Sequence, residues 1–362
     1  MKEGLDDVVA AATVLSDVDG ARGRLILRGL TVEDAATRLS FEAMALRLVS
    51  GFFPDLPHDA AFAARLGHAR VSLHAALLED DPRLDLPPLE AVRALMASLP
   101  DAEDLDCALT LLAAPAVFTA AKLARLRGDT APPRPDPSTA HAEDVLRMCG
   151  LDASAASASA LNAYLCTVSD HGLNASTFAA RVVASTRAGL TSAALAGLCA
   201  LKGPLHGGAP GPVIDMLDAI GSADRARSWL LAAVAGGDRL MGFGHRIYQV
   251  RDPRADVLKA VVERLAREGG AGRGRLAYAE AVETAALEVL RTRKPDRSLK
   301  TNVEFYTALL LEALGFPKEA FTCVFAMGRM AGWIAHAREQ AVSGRLIRPQ
   351  SRYIGPRPDL AA

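Results

Sequence analysis

The chain has 362 residues, half of them hydrophobic, so it can bury a substantial core in one large domain or two unequal ones, which excludes general disorder. Its 41 basic residues nearly cancel 42 acidic ones, for a net charge of -1, and no overall field draws it to nucleic acid or to an anionic membrane. The five cysteines (Cys107, Cys149, Cys166, Cys199, Cys323) are odd in number, show no C-x-x-C pair and lie among apolar helical residues. That pattern suits buried thiols in a reducing compartment, not a disulfide framework or a zinc site.

The first residues, Met1-Lys2-Glu3-Gly4 and then acidic positions, lack the basic head and apolar body of a signal peptide, which makes a cytoplasmic location the expectation. Residues 5–30 read as a small extended entry, with Leu25, Ile26 and Leu27 strand-like after the Asp19-Gly20 turn signal. The run Asp17-Val18-Asp19-Gly20 has the look of a calcium loop, but Arg28 stands where its closing glutamate is required. From Thr31 the period becomes helical, with Thr31 and Asp34 as a capping pair, Phe41, Met44, Leu48, Val49 and Phe52 on one face, and Gly51 and Pro54 ending the helix. The uncharged stretches 107–121 and 188–201 are too short to span a bilayer and are expected to be buried helices.

Residues 131–138 (APPRPDPS) predict a stiff surface loop. The following 153–201, crowded with Ala, Ser, Thr and Gly, permits close helix packing in a core or a subunit interface. Residues 267–275 (REGGAGRGR) predict a solvated basic loop without phosphate-loop spacing. Strands are too few for a doubly wound sheet, so the expected class is mainly α.

Of the eight histidines, His58, His68, His74, His141 and His336 occupy ordinary helical or loop contexts where a structural role is expected. His171, His206 and His245 differ because each is next to glycine, in DHGLN, PLHGG and GFGHR, where the backbone can turn sharply and a ligand can approach. Their wide separation matches no local metal-ligand motif, which gives a metal site little support. Arg329 lies in the apolar, small-residue segment FAMGRMAGW, where a guanidinium is costly unless an anion meets it. Arg254 in DPRA and Arg348 in IRP could join it as carboxylate forks. Glu304 in NVEFY is flanked by apolar groups that would raise its pKa toward that of a useful base. Base, oxyanion donors and carboxylate clamps fit carbon–carbon bond formation through an enolate.

The segments SDHGLNASTFAARVVAST (169–186), ALKGPLHGGAP (200–210), MGFGHRIYQVRDPRA (241–255), NVEFY (302–306), FAMGRMAGWIAHAREQ (325–340) and RLIRPQSRYIGP (345–356) resemble the citrate synthases in order and spacing, as does the entry SDVDGARGRLILRG (16–29). The resemblance implies a mainly α, two-domain homodimer, with a large helical domain (1–207 and 317–362) and a smaller one (208–316) that closes over oxaloacetate before a short acyl-CoA binds. It implies coenzyme A thioester as co-substrate and no permanently bound metal or prosthetic group. It places His206 as the donor that stabilises the thioester enolate, Glu304 as the base taking the α-proton, and His245 as the group polarising the oxaloacetate carbonyl. His171, Arg254 and Arg329 match the residues that grip the carboxylates, and Arg348 matches the arginine reaching in from the second subunit. Arg246, Lys259, Gly242 and Gly244 are the candidates near coenzyme A.

This sequence departs from the family pattern at four of these positions. Glu304 replaces the usual aspartate and lengthens the arm by a methylene; Thr301 replaces the proline often found before Asn302; Gly172 replaces a glutamate common after His171; and Gln249 stands where a basic coenzyme A contact is common. A misplacement near 1 Å can cost about a hundredfold in rate, so the expectation is either a compensating backbone or reduced turnover. Whether the acyl group is acetyl, giving citrate, or propionyl, giving 2-methylcitrate, stays open in the sequence. A catalytically weak dicarboxylate- or CoA-binding paralogue is the alternative of another class.

Overall fold

Short apolar runs around a turn produce the first element. In the computed structural model, which describes residues 5, 8–78, 80–207, 210–269 and 273–356, β1 (Ser16–Asp19) and β2 (Arg24–Leu27) pair antiparallel, with Ser16 opposite Leu27 and Asp19 opposite Arg24, and β3 (Leu30–Thr31) pairs with β2. Asp19 accepts the Arg22 N–H at 2.9 Å and also pairs with the Arg22 guanidinium, while Asp17 lies 3.8 Å from Arg24. The carboxylates of the calcium-like run therefore face arginines of their own hairpin.

The helix expected from Thr31 to Gly51 is two helices, α1 (Val32–Arg38) and α2 (Phe41–Val49). Thr31 caps the first, accepting the Asp34 N–H at 3.1 Å, and Ser40 caps the second through the Ala43 N–H at 3.2 Å. Between them Leu39 is extended. A distant side chain makes the break affordable: Asn162 accepts the Phe41 N–H at 2.8 Å and donates to the Leu39 carbonyl at 2.9 Å, satisfying both backbone groups that the interruption leaves open.

Then follow α3 (Asp59–Ala75), α4 (Pro88–Met96), α5 (Leu105–Arg127), α6 (His141–Met148), α7 (Ala155–Val168), α8 (Ala175–Ala184) and α9 (Leu190–Leu201). Helix α5 is long and apolar enough to cross a bilayer, but its residues are buried almost without break from Leu105 to Ala124, as in a core helix. The proline-rich loop before α6 is pinned and not free: Arg70, buried on α3, donates to the carbonyls of Asp136 and Thr139 and pairs with Asp144 at 2.7 Å.

Helices α10 (Pro210–Ile220), α11 (Ala223–Ala235), α12 (Pro253–Gly269), α13 (Arg273–Arg293) and α14 (Val303–Ala313) pack on one another, α11 on α13 and α12 and α10 on α14, while α12 also meets α7 and α1. The basic segment 267–275 is largely the end of α12 and the start of α13, and its residues 270–272 lie outside the described residues. The chain returns through α15 (Phe321–Ser343), a mostly buried helix that packs on α2, α5, α7, α8 and α9. Small residues permit this. A Cβ on Gly332 would stand 2.3 Å from the Ser169 carbonyl oxygen, and one on Gly328 would stand 2.6 Å from the Val168 side chain. Fifteen α-helices and one three-stranded sheet among the described residues make the fold mainly α, as expected from the sequence.

Candidate active site

Three loops and two helix starts meet between α7, α12, α14 and α15. The loop after α7 carries His171, and its tight bend depends on Gly172, whose φ of +59° and contact with Val18 disfavour any side chain; its N–H donates to Ser16 Oγ at 3.0 Å. Any side chain at this position would be strained by that backbone conformation.

The His245 loop is stitched to the residues before α14. Gly244 N–H donates to the Lys300 carbonyl at 2.7 Å, Asn302 N–H to the Gly242 carbonyl at 2.9 Å, and Asn302 Nδ2 to the Gly244 carbonyl at 2.7 Å. Gly242 and Gly244 both take φ near +80°, and a Cβ on either would meet Phe305 or Leu299 within 3 Å. Asn302 also caps α14, accepting the Glu304 N–H at 3.0 Å, so the same side chain fixes His245 and Glu304 relative to each other. On its other side the loop leans on the hairpin, where Gln249 N–H donates to the Gly20 carbonyl at 2.9 Å.

His245 Nδ1 accepts the N–H groups of Ile247 and Tyr248 at 3.0 and 3.1 Å, which places the proton of the neutral ring on Nε2. Burial, and then Arg254, lower its pKa to about 4, so the ring is neutral at pH 7. Arg254 Nη2 lies 3.4 Å from that Nε2, which sets two donors side by side, close enough to converge on a single acceptor oxygen. Arg254 is itself aimed by Asp252, which accepts from its Nε and Nη2 at 3.0 and 2.8 Å and also from the Val303 N–H at 3.1 Å. Burial works against the Arg254 charge, but Asp252, together with Tyr248 and Glu304, outweighs it and raises the pKa.

His171 packs edge-on against His245, ring centroids 5.6 Å apart, and its Nε2 meets the Tyr248 hydroxyl at 3.1 Å. Burial and the nearby Arg254 and Arg329 charges hold it neutral. His206 Nε2 meets Ser176 Oγ at 2.8 Å, and burial, Arg329 and Arg254 bring its pKa to about 4. Arg329, 1% exposed, donates to the Val168 carbonyl at 2.6 Å and lies 4.8 Å over the Phe325 ring, but has no carboxylate in salt-bridge reach among the described residues. Burial lowers its pKa to about 10 in spite of Asp170 nearby. Glu304 is half-buried at the start of α14 and its carboxylate accepts no hydrogen bond among the described residues. Burial raises its pKa to about 7, against the pull of Arg254 and Arg329 and with the push of Asp252.

The structure thus brings His171, His206, His245, Arg254, Arg329 and Glu304 to one place. Arg348 is not among them: it is exposed on the arm after α15, a segment held by Ile347 N–H to Ser185 Oγ at 3.0 Å. Arg246 is exposed on the outer side of the His245 loop, and Lys259 pairs with Glu280 at 3.0 Å. Sequence reasoning assigned no role to Asp252, Tyr248 or Ser176. Asp252 had a readable signal, a carboxylate two residues before an arginine with proline opening the helix between them. Tyr248 and Ser176 had none, because their partners lie 77 and 30 residues away.

A carboxylate poised near neutrality, neutral imidazoles and buried arginines in one place suit proton transfer beside an anionic ligand. The family profile described as "Citrate synthase, C-terminal domain" matches residues 4–350. The chain is 38% identical over 361 residues to "Putative citrate synthase 2" of Mycobacterium tuberculosis, covering 98% of this chain and 93% of that protein. It is 35% identical over 369 residues to that organism's 2-methylcitrate synthase, covering 98% and 91%. The crystal structure of the Thermoplasma acidophilum citrate synthase in ternary complex with carboxymethyl coenzyme A and oxaloacetate superposes with a TM-score of 0.82 at 28% identity, covering 100% of this chain and 98% of that one. This protein belongs to the citrate synthase family.

Proposed function

We propose that the protein condenses acetyl-CoA with oxaloacetate and hydrolyses the citryl-CoA formed to citrate and coenzyme A. The observation that carries this reading is Arg329, a buried guanidinium with no carboxylate in salt-bridge reach among the described residues and a second buried arginine, Arg254, nearby, an arrangement complementary to a small dicarboxylate. Oxaloacetate offers its carboxylates to Arg329 and Arg254 and its carbonyl oxygen to the paired donors His245 Nε2–H and Arg254 Nη2. Glu304, with a pKa near 7, removes a proton from the carbon next to the thioester. The Ser176 hydroxyl gives its own proton to Asn174 Oδ1 at 2.7 Å and so accepts from His206 Nε2, and His206 supports the developing enolate oxygen by turning that Nε2–H from Ser176 to the bound thioester. The enolate carbon attacks the oxaloacetate carbonyl, whose oxygen takes the proton from His245. Water then cleaves the thioester, making the reaction effectively one-way.

The reading extends to a cytoplasmic homodimer in which a smaller lobe (208–316) closes on a larger one (1–207 and 317–362) and Arg348 completes the neighbour's site. Residues 208 and 209 at the first boundary lie outside the described residues. Propionyl-CoA, giving 2-methylcitrate, is the second reading, favoured by the similarity to a 2-methylcitrate synthase. One methylene is worth about 1–3 kcal/mol in a pocket, so competition between the thioesters separates the two by product mass. Citrate as the dominant product, with oxaloacetate affinity reduced at least tenfold in Arg329→Gln, supports the first reading. Dominant 2-methylcitrate supports the second, and oxaloacetate binding indifferent to Arg329→Gln overturns both.

A further inference from the structure

A second carboxylate, Glu283, is buried against the residues that flank Glu304 in sequence. Glu283 projects from α13 and accepts three hydrogen bonds: from Thr301 Oγ1 at 2.5 Å and Arg251 Nη1 at 2.8 Å on one oxygen, and from the Tyr306 hydroxyl at 2.6 Å on the other. Burial alone would raise its pKa, but these donors hold it below the ordinary value. Each donor belongs to a segment that carries the chemistry. Thr301 pairs across a β-bridge with Phe243 and stands three residues before Glu304; Tyr306 is two residues after it; Arg251 ends the loop that begins at His245. Arg251 also pairs with Asp256 on α12, and its guanidinium lies 5.9 Å from the Tyr306 ring centroid.

We infer that Glu283 is a positioning residue for the condensation, a single buried anion that fixes the Glu304 turn through Thr301 and Tyr306 and the His245 loop through Arg251. The inference rests on the functional reading above. It also accounts for two departures together. A proline before Asn302 would limit the backbone by its ring and could not donate; threonine leaves φ freer but offers a hydroxyl, and here that hydroxyl is tied to Glu283. The longer Glu304 arm then starts from a backbone held by a charge-assisted hydrogen bond in place of a ring.

The test compares Thr301→Val, Thr301→Ser and Glu283→Gln in the full-length protein by steady-state kinetics and by amide hydrogen exchange. Thr301→Val, which keeps the shape and loses the donor, is expected to lower kcat about tenfold to a hundredfold with KM for oxaloacetate within about twofold, and Thr301→Ser to restore most of the rate. Exchange is expected to accelerate at 300–304 in Thr301→Val, and at both 244–249 and 300–304 in Glu283→Gln, with other core helices unchanged. Full kcat in Thr301→Val, equal losses in the Val and Ser variants, or wild-type exchange in both segments would overturn the inference. A wild type that does not condense at all overturns the functional reading instead, and the exchange pattern then decides alone whether Glu283 holds these two segments.

Discussion

Glu304, the base in the proposed reaction, sits where burial makes its charge costly to the fold. Its native pKa of about 7 lies above the ordinary 4.5, because burial disfavours the charge. The native state therefore prefers the neutral carboxyl: that contribution to stability is fully present below the unfolded pKa and is lost as pH rises through about 7. Glu304→Gln, which is neutral at every pH, is expected to unfold at a higher temperature than wild type at pH 8, by a stability difference of roughly 2–3 kcal/mol at most, and at nearly the same temperature at pH 5. Thermal melts of the two proteins at both pH values check this; a variant less stable at pH 8 would mean that the carboxylate has a partner after all. Arg329 is a counterpart of opposite sign, a cation buried in an apolar helix whose pKa is lowered by burial to about 10.

At the scale of elements, the chain relies on single polar side chains to close gaps between helices. Asn162 on α7 serves both sides of the α1–α2 break, and its replacement by alanine leaves a donor and an acceptor unsatisfied. Asn162→Ala is expected to cost about 1–3 kcal/mol in denaturant unfolding, with an unchanged slope. An unaltered midpoint would show that water satisfies the Leu39 carbonyl and the Phe41 amide equally well. The break also marks where sequence reading stops short. Thr31, the apolar face of 41–49 and the buried helix α5 were legible because caps and periodicity are local. The interruption at Leu39 was not, because its stabilising partner is more than 120 residues away.

Over the whole molecule the same distinction separates the legible part of the candidate site from the rest. His171, His206, His245 and Glu304 were readable because glycines and apolar neighbours mark them within a few residues, and Arg329 because a charge in an apolar helix stands out. The groups that hold them were not readable. Asp170 pairs with His336 at 3.2 Å, and His336 meets Arg181 at 2.9 Å, across sequence separations of more than 150 residues. His336, expected from the sequence to be an ordinary structural histidine, is buried and paired with the residue just before His171. The hairpin at residues 16–27 was legible as an extended entry, but its contacts with the His171 and His245 loops through Ser16 and Gly20 were not, because those loops lie more than 150 residues away. Segments from both ends and the middle of the chain thus converge on a site whose central group is one carboxylate.

Coenzyme A release with oxaloacetate and acetyl-CoA, compared between wild type and Glu304→Gln from pH 5.5 to 9, tests that centre most directly. Wild-type kcat is expected to rise with pH through an ionisation near 7, and Glu304→Gln to lose about a hundredfold to ten-thousandfold at pH 8. Glu304→Gln turning over at the wild-type rate, or a wild-type rate that falls as pH rises from 6 to 8, would contradict that expectation.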